Sequence, residues 1–215
     1  MRTNLAILAL VCLTVPATVH AAGCGRDDAP LALSDRLWKS GEAPDSARLG
    51  ERRTILEVGD FVDQIAGALI RATPAEAEKV LSDAGFTGAA AREYQADGQD
   101  AVAVAIRLRD SDAASAVLQW SNRDALAPCP RVCNIDITEL DVHDIPKAWG
   151  VRRVREKGAP GAGPSHPFES YEVSFVDGVV LYVLSTEGAP GSGDGDALVR
   201  AAKALYDRVQ GRPLP

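Results

Sequence analysis

The chain has 215 residues, 23 Lys and Arg against 30 Asp and Glu, a net charge of −7 at pH 7 and 5% aromatic residues. An acidic surface argues against nucleic acid as a partner, because phosphate binding needs a cationic face. The low aromatic content argues against extended base- or sugar-stacking platforms.

The first twenty-four residues carry an export signal. Met1 and Arg2 give a positive start, Leu5 to Val15 form an uncharged apolar run, and small residues follow at Ala21, Ala22 and Gly23 before Cys24. The run is too short to span a bilayer and has the layout of a cleaved leader over residues 1–23. Val19 and Ala21 would suit a general signal peptidase cutting before Ala22. Ala21-Ala22-Gly23-Cys24 instead resembles the bacterial lipobox, in which the Cys is acylated and becomes the new amino terminus. Cysteine parity favours the second cut. Cys12 leaves with the leader, so Cys24, Cys129 and Cys133 remain, and acylation of Cys24 with chains such as palmitate removes the odd thiol. Loss of Arg2 leaves 22 basic and 30 acidic residues, net −8.

Residues 24–54 are rich in Asp, Pro, Ala, Ser, Gly and Arg and read as a lipid-anchored flexible tether. Leu31, Leu33, Leu37 and Trp38 interrupt it and suit either docking on the domain or a short helix. The domain itself is expected over residues 55–215. Val58, Phe61, Val62, Ile65, Ala66 and Leu69 recur at helical spacing. Thr73, Pro74 and Glu76 form the start signal of a second helix, which Gly85 stops.

Strand signals follow. Ala90, Arg92 and Tyr94 precede a turn at Asp97-Gly98, after which Val102, Val104, Ile106 and Leu108 alternate with smaller residues. That pattern predicts a sheet covered on one side by closely packed helices. Ser111 opens an alanine-rich helix with Ala113, Ala116, Val117 and Trp120 inward. Asn134 to Val142, Val151 to Arg155, Ser170 to Val176 and Val179 to Ser185 read as strands, with a hairpin turn at Asp177-Gly178. Asp196 to Gln210 reads as a closing helix with Leu198, Ala201, Ala202, Leu205 and Val209 inward. Strand-strand-helix thus occurs twice. The expected fold is α+β, an antiparallel sheet backed by helices and built from pseudo-duplicated units.

Four groups of residues invite a chemical reading. Cys129 and Cys133, spaced C-x3-C between prolines in an exported chain, are expected to form a structural disulfide worth about 2 kcal/mol. Asp136, Glu139, Asp141, His143 and Asp144 crowd together, and Asp141 and His143 would share a strand face as two metal or acid–base ligands. A solvated edge strand accounts for the same letters. The loops Gly158 to Gly163 and Gly188 to Gly193 lack the lysine of a phosphate loop, and Asp194 and Asp196 stand where an anion would arrive, so both read as flexible surface loops. Trp120, Trp149, Tyr171 and Tyr182 suit a core or the lining of a groove, with core favoured. No cofactor and no catalytic residue is assigned.

The lipobox-like Cys24, the acidic tether, Ala84-Gly85-Phe86, Arg92-x-Tyr94, the Val102 to Leu108 strand with its alanine-rich helix, Asp144-Ile145-Pro146 and Phe175-x-x-Gly178 resemble envelope lipoproteins of actinobacteria. Some of these are similar to extracellular sensor domains of receptor kinases. The resemblance implies a chain anchored to the outer face of the cell membrane that acts as a non-enzymatic binding or interaction domain for an envelope protein or small ligand. The competing expectation is an envelope hydrolase or metal-dependent enzyme using Asp141 and His143.

Overall fold

The computed structural model describes residues 32–44, 48–66, 72–96, 99–126, 135–155 and 166–210. Seven strands form a single antiparallel sheet: β1 (Arg48–Ile55), β2 (Gly88–Ala96), β3 (Gln99–Arg107), β4 (Asp136–Leu140), β5 (Trp149–Arg155), β6 (Phe168–Asp177) and β7 (Val180–Gly188). Their spatial order is β1-β2-β3-β7-β6-β5-β4. The two meanders therefore meet at the β3–β7 pair, where Val104 lies opposite Val183. Helices are α1 (Val58–Phe61), which runs on into a π-helical turn at Val62–Ala66, α2 (Pro74–Asp83), α3 (Ser111–Leu126) and α4 (Gly195–Val209).

The start of α2 follows from its sequence. The Thr73 hydroxyl accepts from the Glu76 amide and the Glu76 carboxylate accepts from the Thr73 amide, so two otherwise orphaned donors are satisfied reciprocally. Gly85 has φ +69 and supplies the left-handed exit. Phe86 returns to Phe61, with ring centroids 5.7 Å apart.

Helices cover both faces of the sheet, not one as the β3 alternation suggested. Val104 and Ile106 of β3, with Leu181 and Val183 of β7, face Phe61 of α1, Leu81 of α2 and Val117 of α3. The small face of the same strand, Ala101, Ala103 and Ala105, packs beneath Leu198, Ala202 and Leu205 of α4 and beneath Trp38. Side chains that alternate along a strand point to opposite faces, so the small residues of β3 make room for the bulky tryptophan and for Tyr94 and Tyr182. The repeated units are β2-β3-α3 and β6-β7-α4, and their helices lie on opposite faces. Ala116 of α3 is exposed while Ala114 and Leu118 are buried, a small rotation of the expected helix face.

The tether reading fails over residues 32–44 and 48–54. Leu33–Arg36 forms a 3-10 turn, and Leu37 and Trp38 are both fully buried. The Trp38 indole donates to the Ala201 carbonyl at 3.1 Å, and the Trp38 carbonyl accepts from the Tyr94 hydroxyl at 3.1 Å. Arg208 of α4 donates to the carbonyls of Asp35 and Leu37 and pairs with Glu42. Side chains of the domain thus satisfy the backbone of a strap that joins no strand. Residues 48–55 follow as β1, an edge strand whose register shifts between Leu49 and Arg52. It pairs with β2 by backbone hydrogen bonds although most of its side chains are exposed. The leader, Cys24, Cys129, Cys133 and the first glycine-rich loop lie outside the described residues.

Candidate functional site

Asp141 and His143 fall just past the end of β4, not on a strand face. Val142 between them is buried in the core and turns the two side chains outward. The His143 Nδ1 lies 2.9 Å from Asp141, and Nε2 lies 3.8 Å from Asp144. Hydrogen bonding to Asp141, then the charges of Asp141 and Asp144, hold the imidazole pKa above its ordinary value. The His143 and Asp141 side chains are 72% and 81% exposed, with Leu140 and Ala148 making a shallow hollow beside them. Among the described residues no group of three or more His, Cys, Asp and Glu is placed to hold a metal.

The second glycine-rich loop is pinned, contrary to the reading of it as a flexible surface loop. Glu169, whose side chain is 2% exposed, accepts from the Gly191 amide at 2.6 Å, the Tyr171 hydroxyl at 2.6 Å and Arg152 at 2.7 Å. Burial pushes this carboxyl up, but hydrogen bonds from Tyr171, Gly191 and Arg152 outweigh it and hold the pKa below the ordinary value. A protein carboxylate therefore occupies the position that an anion would need. Gly193 and Gly195 lie against the Tyr171 ring too closely for any side chain.

On the other face of the sheet, Glu172 is 1% exposed and pairs with Arg153 at 3.1 Å. Desolvation raises its pKa against the opposing effects of Arg153 and Ser174. This pair lies beneath α3.

Sequence reasoning did not find a second concavity, an open groove of about 460 Å³ on the same face as Glu172. Its floor is the ends of three central strands, with Glu93 and Gln95 of β2, Asp100 and Val102 of β3, and Ser185 and Glu187 of β7. Gln64 and Ile65 of the π-helical turn form one wall. Register sets these residues in rows across the strands: Glu93, Val102 and Ser185 in one, Gln95, Asp100 and Glu187 in the next. Strand pairing satisfies the floor's backbone, so recognition falls to side chains. Of the three carboxylates Glu93 is paired with Arg53 at 3.0 Å, while Asp100 and Glu187 have no cationic partner among the described residues. Tyr171 and Tyr182, weighed as groove residues from sequence, are buried on the opposite face, and Trp120 and Trp149 are half-buried.

No family model matches the chain, and no curated protein matches it. Solved structures do. The extracellular domain of PknH from Mycobacterium tuberculosis superposes with a TM-score of 0.51 at 18% identity, over 85% of this chain and 98% of that one. An uncharacterised protein from Mycobacterium smegmatis gives a TM-score of 0.41 at 9% identity, over 77% and 88% of the two chains. The α+β fold is therefore shared with an extracellular domain over nearly that domain's whole length.

Proposed function

We propose that the chain is a non-enzymatic binding domain on the outer face of the cell membrane, carried there by acyl chains on Cys24, and that it engages an envelope component through the groove between the π-helical turn and the sheet. The observation that supports this reading is the combination of a fold shared with an extracellular domain and an open groove whose described polar groups are partly unused. Pockets of this size, with a few convergent polar groups, are the ordinary form of a ligand site.

The competing reading, a hydrolase or metal-dependent enzyme built on Asp141 and His143, has the 2.9 Å contact in its favour. Both groups are solvated, however, and among the described residues nothing around them excludes water. A photo-crosslinking residue at Gln95 in the full chain, expressed in cells, tests the proposal. The expected result is a membrane-fraction protein that captures a defined envelope species from Gln95 and not from the exposed Arg200 of α4, whose helix covers the opposite face of the sheet, with His143→Ala leaving capture unchanged. A cytosolic chain with an intact leader, or capture that depends on His143 alone, would overturn it.

A further inference from the structure

We infer that the groove takes a cationic peptide segment, a stretch of a partner protein carrying Lys or Arg side chains; this rests on the reading of the groove as the binding site. Charge complementarity carries the inference. Glu93, Asp100 and Glu187 line the groove together with Gln64, Gln95 and Ser185, and among the described residues no lining residue is cationic.

The placement of two of the acids is unfavourable without a ligand. Asp100 and Glu187 are direct cross-strand partners in the β3–β7 register, and like charges in that position destabilise a sheet. Neither is neutralised among the described residues, whereas Glu93 has Arg53. An ammonium or guanidinium between Asp100 and Glu187 would relieve the repulsion. The amides of Gln64 and Gln95 and the Ser185 hydroxyl would then meet the peptide groups on either side, since each can donate and accept. The net charge of −7 attracts a basic segment at longer range.

The test uses the full chain in mild detergent and a blocked trilysine peptide, with blocked triglutamate, spermidine and Ca2+ as comparison probes, read by calorimetry at two salt concentrations. Trilysine is expected to bind, to weaken as salt rises, and to bind about tenfold more weakly to the double variant Asp100→Asn, Glu187→Gln. The same variant is expected to melt at the wild-type temperature or about 1–2 °C above it, because it removes a repulsion. Asp141→Asn is expected to leave trilysine affinity unchanged.

The inference is overturned if the double variant binds trilysine within twofold of wild type, or if triglutamate binds as well. Tighter binding of spermidine would reassign the groove to a small organic cation, and binding of Ca2+ without peptide would reassign it to a metal. Crosslinking from Gln95 in cells with no trilysine binding would remove the ligand class alone. Loss of both would remove the groove as a site.

Discussion

Glu42 and Arg208 stand 166 positions apart in sequence and meet at 2.5 Å, with side chains only 4% and 12% exposed. Through this contact the last helix holds the amino-terminal strap, because the same guanidinium also donates to the carbonyls of Asp35 and Leu37. Removing one partner of a buried pair strands the other, at about 3–5 kcal/mol. Arg208→Ala is expected to lose about 3 kcal/mol in urea unfolding and to red-shift the emission of Trp38, which is fully buried in the native chain. A variant of native stability and unshifted emission would show that the strap is held by Trp38 packing alone.

The glycines rank by the space around them. A Cβ at Gly193 would stand 2.2 Å from Cε2 of Tyr171, a ring held in the core, so Gly193→Ala is expected to destabilise by about 1–3 kcal/mol. Gly191 has open space but φ +80, and its alanine variant is expected to lose about 1 kcal/mol through the left-handed backbone. Gly59, helical and unobstructed, is expected to gain about 0.5–1 kcal/mol as alanine. Urea midpoints of the three variants check the order.

Two buried glutamates are expected to tilt stability against pH in opposite directions. Glu169 has a folded-state pKa below its unfolded value of 4.5. Its contribution is present above that value and disappears as pH falls through the folded-state pKa. Glu172 is shifted the other way by burial. Its contribution is whole below pH 4.5 and is lost as pH rises through its folded-state pKa. Urea unfolding between pH 3 and 8 is expected to show the acid limb flattened in Glu169→Gln and the upper limb flattened in Glu172→Gln.

The cysteines separate by role. Cys24, proposed as the acylated residue, is expected to incorporate labelled palmitate, and Cys24→Ala is expected to release the chain from membranes. Cys129 and Cys133, proposed as a disulfide, are expected to resist alkylation until a reductant is added. Two alkylated thiols without reductant would refute the bridge.

Local features were legible in the sequence. The α2 capping box, the Asp177-Gly178 hairpin with φ +58 at Gly178, and the apolar face of α4 depend on residues a few positions apart, which is the range over which pattern reports structure. The strap was legible only as an alternative: Leu37 and Trp38 stood out as able to dock, but they sit among residues typical of linkers and their burial depends on Arg208 and Tyr94. Strand β1 escaped for a related reason: its backbone pairs while its side chains stay in water, so no alternation marks it. The groove needed the strand order itself. Asp100 and Glu187 become neighbours only because β3 pairs with β7, a fact that no short window of sequence contains.

That pairing also governs how the chain can come together. Strands β3 and β7 are central in space, yet residues 108–179 separate them in sequence. The first three strands therefore emerge with a bare inner edge that stays open until β7 is made. Closing so long a loop slows folding and lengthens the exposure of an unsatisfied strand. The repeated halves are thus not separable modules: a chain cut before β6 keeps its amino-terminal meander but leaves β3 as a ready template for aggregation.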